Sequence, residues 1–217
     1  IYVLELAPYG AVWDKLAGII KSGEIGRVVG YETTRHVRLE RKGPENRSFG
    51  DTDWRIHPEY PLGMLFDGGV HELAVQSRLF GTPQTVHAVG RSYREGYGDF
   101  DHVAMFLEYP DGSFGVFCHS GLLGGDRNFF TVRGTEGLAQ LSGREFRVEL
   151  HDGRSWDVAR SEVSDHAAMW DHFAECVADR REAFYTSRDA LREIETLAAV
   201  ERAVHEGTRV RVDRARG

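Results

Sequence analysis

The sequence predicts an α+β fold, in which a largely antiparallel or mixed open sheet carries helices on one face. Three observations predict it. Apolar residues recur at helical spacing near the start, before residue 80 and in the last third of the chain. Between residues 85 and 153, alternating β-branched and aromatic residues form short strand-like runs. Gly, Pro and Asp-Gly turns separate these runs.

The first predicted elements are a helix, a strand and a second helix. A proline and the apolar spacing predict a helix from Pro8 to Lys21, ended by a Ser-Gly pair. Arg27 to Leu39 alternates as a strand does, and the polar run from Glu40 to Gly50 is expected to be a surface loop. The second helix is predicted between Gly63 and Phe80.

The middle of the chain is predicted to be a β-meander. The turn Pro110-Asp111-Gly112 gives the clearest hairpin signal in the sequence. Shorter strands are expected between Gly134 and Gly153. The four longer strand-like runs are Thr85 to Tyr93, His102 to Tyr109, Ser113 to Ser120 and Asn128 to Arg133.

Two amphipathic helices and a short strand are predicted to close the chain. Gly207 is expected to cap the last helix, before a strand from Thr208 to Val212 and a loose tail over residues 213–217. The chain is expected to form one domain, in which residues 1–26 contribute a remnant strand and a crossing helix. The apolar faces of the two helices are Trp170, Phe173, Cys176 and Val177, and then Ala190, Leu191, Ile194, Leu197, Ala198 and Val200.

Composition argues against several functional classes. The chain has 217 residues, 41% of them hydrophobic, and a formal net charge of −7, which is ordinary for a compact domain. The negative charge and the lack of a basic patch argue against nucleic acid, and no apolar run approaches the ~20 residues of a membrane span. Cys118 and Cys176 have neither disulfide-framework nor zinc spacing, which favours a reducing, cytoplasmic compartment.

The most informative motif is Trp54-Arg55 followed by the run from Asp67 to His71. On a helix, Asp67 and His71 share a face, and a carboxylate beside an imidazole forms an acid/base pair for chemistry near neutral pH. Trp54 and Arg55 offer an apolar wall and a cation for a polyhydroxylated or anionic small molecule. The intervening glycine pair costs helix stability unless a ligand or a facing helix approaches closely.

Structural interpretations of the same residues stay open. Asp67 fits a helix N-terminus, where the dipole stabilises it, with His71 as a surface or core residue one turn later. Trp54 and Arg55 fit a core tryptophan beside a snorkelling arginine. Several Asp-His pairs provide residue types that can bind a metal ion, but no compact ligand set such as H-E-x-x-H occurs, so no metal site is predicted.

A series of short landmarks runs through the sequence in a fixed order: Pro8–Val28, Trp54-Arg55, Asp67–His71, Phe80-Gly81, Val86–Ala88, Tyr109–Gly112, Val132–Gly137, Trp170–Cys176, Asp189–Leu191 and Gly207. Taken in order, these landmarks resemble the C-terminal, substrate-side domain of the Gfo/Idh/MocA family of NAD(P)-dependent oxidoreductases over almost the whole chain. One departure is the glycine-rich run before the family's aspartate, which is reduced here to Pro61-Leu62-Gly63-Met64.

That resemblance implies a dihydrodipicolinate-reductase-like C-terminal fold and hydride transfer between a sugar or polyol carbon and NAD or NADP. It implies that His71 is the acid/base residue at the reacting hydroxyl, with Asp67 and a lysine of the N-terminal domain beside it. The family's Rossmann domain, with its glycine fingerprint, does not occur in this sequence, so the isolated chain is expected not to bind NAD(P) tightly. The open sheet face is expected to form a homo-oligomer.

Three explanations stay open for the missing Rossmann domain. The start at Ile1 rather than Met favours a fragment or isolated domain of a longer dehydrogenase. A second is a free-standing, non-redox relative that serves as a binding or oligomerisation module, or a subunit that pairs with a separate dinucleotide-binding chain. A third is a cofactor-free lyase or isomerase that uses Asp67 and His71.

Overall fold

The computed structural model describes residues 1–39, 42, 48–124, 128–161 and 163–213. The helices of this part are α1 Ala11–Ser22, α2 Asp53–Ile56, α3 Val70–Phe80, α4 Asp165–Asp179 and α5 Ser187–Glu206. Its strands are β1 Val28–His36, β2 Thr85–Arg91, β3 His102–Glu108, β4 Phe114–Ser120, β5 Phe129–Gly134, β6 Gly137–Ser142, β7 Glu145–Leu150, β8 Ser155–Asp157 and β9 Val210–Arg211. Short 3-10 turns occupy Ala7–Tyr9 and Phe49–Asp51, and a π-helical turn occupies Leu65–Gly69.

Strand β1 lies inside the sheet and interrupts the predicted meander. The strand order is β8-β7-β6-β5-β1-β4-β3-β2-β9, so β4 and β5 are separated although they follow each other in the chain. β1 pairs parallel with β4, where Tyr31 lies opposite Gly115, and antiparallel with β5. The prediction of a single meander is therefore wrong. Turn signals show where one strand ends and the next begins, but they do not show that the distant strand β1 lies between β4 and β5. The β3–β4 hairpin at Pro110-Asp111-Gly112 is confirmed.

The main core lies between one face of the sheet and helices α1, α3 and α5. Tyr31 is buried there and stacks on Phe80 of α3 and Phe130 of β5, with ring centroids 4.4 and 5.5 Å apart. Its hydroxyl is 2.7 Å from Gln76 Oε1 and 2.7 Å from the hydroxyl of Tyr109. This buried cluster joins β1 and the β3–β4 hairpin to α3, the helix that carries His71.

The opposite face of the sheet is open in the described part of the chain. Phe106 on β3 and Phe114 on β4 stack there at 5.3 Å, and they remain 38% and 36% exposed. With helices packed on one face of a mixed sheet, the predicted α+β class is confirmed.

The first helices begin later than the sequence predicts. Pro8 lies in the separate 3-10 turn Ala7–Tyr9, and α1 starts only at Ala11. The second predicted helix opens as the π-helical turn and becomes α-helical at Val70. Residues 1–6, predicted as a strand remnant, form no strand, because the sheet ends at β8 and β9 and this segment packs in a small cluster with Met169.

The buried face of α4 also differs from the prediction. Cys176 of the predicted face is buried, but Trp170 and Val177 are exposed, and the helix also buries Met169. The reason is that α4 packs on the Ala7–Tyr9 turn rather than on the sheet, so another stripe of the helix is covered.

The last helix exposes three residues of its predicted apolar face, Leu191, Ile194 and Ala198. Gly207 ends it in the left-handed conformation, with φ of +63°, as predicted. The closing strand is confirmed but shorter than expected, since β9 pairs with β2 over two residues. The residues that α5 buries are Glu193, Thr196, Leu197, Ala199, Val200 and Ala203.

Most of the predicted Glu40–Gly50 loop and of the 213–217 tail lies outside the described residues. Within the described ranges, no helix combines the length and apolarity that a bilayer crossing requires. Cys118 and Cys176 are both free thiols.

Candidate active site around Asp67 and His71

Asp67 lies in the π-helical turn that leads into α3. Isolated π-helical turns occur frequently at functional sites, because the extra residue redirects neighbouring side chains. Here the backbone N–H groups of Phe66 and Asp67 both donate to the carbonyl of Gly63, at 3.0 and 3.2 Å. Gly63 has a φ of +44°, a left-handed conformation that glycine adopts without a side-chain clash. The turn therefore sets where the Asp67 carboxylate points relative to α3.

The glycine pair of this turn packs against His119 of the sheet and Leu65 of the turn itself. A Cβ on Gly69 would lie 3.4 Å from Cδ2 of the buried His119 on β4, and 2.4 Å from Cδ1 of Leu65. A Cβ on Gly68 would lie 3.4 Å from Nε2 of His119, which is an ordinary contact. Burial lowers the pKa of His119 to about 3, so the ring that the glycines cover is neutral.

This geometry predicts different outcomes for the two glycines. Gly68→Ala is expected to raise the free energy of unfolding by up to about 1 kcal/mol, because alanine favours helix and the site has room. Gly69→Ala is expected to lower it by about 1–3 kcal/mol, because the buried Leu65 must move. Urea unfolding of both variants beside the wild-type chain tests this. Equal effects of the two substitutions would contradict it.

Arg55 of α2 holds Asp67 in an ion pair. Its Nε donates to Oδ2 of Asp67 at 2.7 Å and its Nη2 to Oδ1 at 3.5 Å, with the side chains 16% and 17% exposed. Nη1 donates to the carbonyl of Phe49 and to Oγ1 of Thr52, at 3.0 and 3.3 Å. The guanidinium thus orients the Asp67 carboxylate, whereas the sequence indicated a cation directed at substrate.

Trp54 forms the outer wall of this cluster. The guanidinium carbon of Arg55 lies 3.9 Å from the Trp54 ring centroid, a cation–π contact that covers one face of the indole. Trp54 is 48% exposed, so it is not the core tryptophan of the structural interpretation. Its accessible surface provides an apolar area next to the Asp67–Arg55 pair.

His71 is hydrogen-bonded to a carboxylate that the sequence did not single out. Its Nδ1 lies 2.7 Å from Oε2 of Glu5, in the segment before the first 3-10 turn. The His71 side chain is 56% exposed and that of Glu5 only 10%. The hydrogen bond to Glu5 raises the pKa of His71, with smaller contributions from the charges of Glu5, Glu72 and Asp67. Glu5, rather than Asp67, is therefore the main control on the proton affinity of His71.

A second carboxylate neighbours His71 on the same helix. Glu72 pairs with Arg35 of β1 at 3.1 Å, which ties the start of α3 to the middle of the sheet. Burial raises the pKa of Glu72, while the charges of Arg35 and His71 oppose that rise. Within the described residues, no group of three His, Cys, Asp or Glu side chains has the arrangement of a metal site.

Comparison with known protein families shows the family to which the chain belongs. A family model described as the GFO/IDH/MocA C-terminal domain matches residues 13–140, more than half of the chain. The chain belongs to that family. The resemblance noted in the sequence is confirmed, and the Asp67–His71 motif lies inside the matched region.

Solved structures of GFO/IDH/MocA-type oxidoreductases share the fold. An oxidoreductase from Thermotoga maritima is 25% identical, with a TM-score of 0.81 over 97% of this chain. An aldose-aldose oxidoreductase from Caulobacter crescentus, solved with glycerol, is 21% identical, with a TM-score of 0.80 over 95%. The WlbA dehydrogenase from Bordetella pertussis, solved with NADH and UDP-GlcNAcA, is 16% identical, with a TM-score of 0.79 over 99%. This chain spans 62%, 62% and 65% of those chains, respectively.

Proposed function

We propose that the chain is the substrate-binding and oligomerisation domain of an oxidoreductase that transfers a hydride between a hydroxyl-bearing carbon of a sugar or polyol and NAD(P). The observation that carries this proposal is His71, half-exposed and held by Glu5, with the Asp67–Arg55 pair one turn earlier. Family membership supports the redox chemistry. The sugar or polyol class is supported by the aldose-aldose oxidoreductase and the sugar-nucleotide complex among the similar structures.

In this proposal, His71 moves the proton and the surrounding residues place the substrate. As the alcohol carbon loses its hydride, the imidazole of His71 accepts the hydroxyl proton, and it returns the proton in the reverse direction. Asp67, fixed by Arg55, accepts a hydrogen bond from a neighbouring substrate hydroxyl. The exposed part of Trp54 covers an apolar face of the sugar. A nicotinamide held by a separate dinucleotide-binding domain supplies the hydride acceptor or donor.

The N-termini of α1 and α3 do not fit a dinucleotide pyrophosphate. A pyrophosphate needs a glycine turn that leaves open space at a helix N-terminus. Before α1, a Cβ on Gly10 would lie 3.0 Å from the Trp13 side chain, and before α3 the glycines are covered by Leu65 and His119. We therefore propose that another domain holds NAD(P), and calorimetric titration of this chain with NADH or NADPH is expected to show no tight binding.

The activity test supplies a dinucleotide-binding domain. The 217-residue chain is joined to the dinucleotide-binding domain of a family member, and NAD(P) reduction is followed with aldoses, inositols and sugar nucleotides. We expect turnover with at least one sugar or polyol. Turnover with none of them, from a folded protein that binds NAD(P), would overturn the proposed function.

The open sheet face is proposed to form a homo-oligomer contact. The support for this contact is the exposed, stacked pair Phe106 and Phe114, since exposed apolar patches often mark protein–protein contacts. Phe106→Glu is expected to lower the mass measured by light scattering to that of one chain. The control is Val177→Glu on α4, which changes an exposed apolar residue elsewhere and should leave the mass unchanged. A monomeric wild-type chain at micromolar concentration would contradict the prediction.

A further inference from the structure

We propose that Glu5 is a positioning residue for His71: it fixes the imidazole tautomer, so that Nε2 is the nitrogen that exchanges a proton with the substrate. The proposal deepens the proposed function and rests on it for the identity of the reaction. The tautomer itself is a property of this chain and is measurable without any reaction.

The contact geometry fixes which nitrogen carries the proton. A carboxylate only accepts hydrogen bonds, so the 2.7 Å contact with Oε2 of Glu5 requires hydrogen on Nδ1 of His71. In a neutral imidazole, the lone pair is then on Nε2. The His71 side chain is 56% exposed and its Nδ1 contacts Glu5, which is only 10% exposed, so we expect Nε2 to be the nitrogen that a substrate reaches.

The Glu5 carboxylate is itself held in place. Its Oε1 accepts the backbone N–H of Ala7 at 3.0 Å, so each carboxylate oxygen has a donor. Ala7 begins the 3-10 turn that packs against α3 and α4. The carboxylate therefore cannot leave the imidazole without breaking a backbone hydrogen bond, and this rigidity lets it select one tautomer.

Other charged groups face His71 from each element around it. Asp67 comes from the π-helical turn and Glu72 from α3, and both raise the pKa of His71 less than Glu5 does. Glu193 of α5 also faces this cluster, where it accepts the Tyr185 hydroxyl at 2.6 Å. Among the described residues, Glu5 is the one hydrogen-bonded to the imidazole of His71. Several carboxyl groups thus raise the pKa of His71, whereas Glu5 alone among them selects its tautomer through a hydrogen bond.

The test is nitrogen NMR of the imidazole groups in the 217-residue chain, with the His71 signals assigned from a His71→Gln variant. In the wild-type chain above the pKa of His71, we expect Nδ1 protonated and Nε2 unprotonated. In Glu5→Gln the side chain both accepts and donates, so we expect both tautomers and a pKa that falls toward 6.5. Glu72→Gln, the matched control, removes a nearby carboxyl group and should keep the wild-type tautomer.

Two results would overturn the proposal: a wild-type His71 with hydrogen on Nε2 or with mixed tautomers, or a Glu5→Gln chain with the wild-type tautomer. The first of these results needs only the wild-type spectrum, so the proposal can be tested even if the Glu5→Gln variant fails to fold. In the two-domain enzyme, Glu5→Gln should lower kcat by about tenfold or more and move the acidic limb of the kcat/KM profile to lower pH. Wild-type tautomer data as expected, with no redox turnover, would reject the proposed function and leave the positioning role of Glu5 standing.

Discussion

Replacing His71 by alanine is expected to lower turnover by ~10²–10⁴ in the two-domain enzyme, the usual contribution of a general acid/base group. The reason is geometric: the half-exposed ring is the proposed proton-accepting group, and Glu5 already contacts its Nδ1. Because more than half of the side chain is exposed, the substitution leaves no large cavity, and the thermal midpoint should change little. Turnover per folded molecule and the thermal midpoint are measured together.

The control for this substitution is His166→Ala, which removes an exposed histidine from the first turn of α4. It should keep wild-type turnover. Near-normal turnover in His71→Ala with a lowered midpoint would show that His71 has a structural role only. Asp67→Asn should also lower turnover, because Arg55 loses the charge that orients it and the substrate loses a fixed acceptor.

The fold was predictable wherever a signal is local in sequence. The β3–β4 hairpin follows from the turn chemistry of Pro110-Asp111-Gly112, and the end of α5 follows from Gly207. The place of β1 was not predictable in the same way. Its pairing with β4 and β5 depends on tertiary packing of Tyr31 under α3, and strand periodicity contains no information about which distant strand is the partner.

The candidate site shows the same division. The spacing of Asp67 and His71 indicates a shared site because both belong to one continuous segment of helix. Glu5 was missed, since it lies in a segment without helix or strand and reaches His71 only through the fold. The available signal was a single acidic residue in the apolar run Ile1–Leu6, which is weak evidence by itself. Arg55 was predicted to contact substrate, whereas it pairs with Asp67 in the structure. The sequence did not indicate this pair, because it depends on how α2 packs beside the π-helical turn.

The second large effect is expected in the free energy of unfolding, when the buried Glu193 is replaced by glutamine. This side chain lies on the core face of α5 and is 1% exposed. Its Oε2 accepts the Tyr185 hydroxyl at 2.6 Å, and its Oε1 has no hydrogen-bond partner among the described residues. Burial raises the pKa of Glu193 from 4.5 to about 7; the Tyr185 hydrogen bond opposes that rise, and the charges of Glu5 and Asp189 add to it.

A carboxyl group with a raised pKa makes the folded state less stable as pH increases. Between pH 4.5 and 7 the folded chain binds more protons at this site than the unfolded chain, so the free energy of unfolding falls with pH. The destabilisation is absent below pH 4.5 and complete above about pH 7, where the shift corresponds to roughly 3 kcal/mol. His71, whose pKa is also raised, contributes stability that is present below pH 6.5 and lost above its raised pKa, so both groups act in the same direction.

Glu193→Gln separates the two contributions, because it keeps the shape of the protonated side chain and leaves His71 in place. At pH 5 the variant and the wild-type chain should have similar free energies of unfolding. At pH 8 the variant should be more stable by about 2–3 kcal/mol, since glutamine needs no desolvation of a charge. Urea unfolding at pH 5, 6, 7 and 8 measures the difference, with Glu206→Gln at the exposed end of α5 as the matched control. The prediction would be contradicted if the difference in free energy of unfolding between variant and wild type stayed constant from pH 5 to pH 8. Glu193 would then have the same pKa in the folded and the unfolded chain.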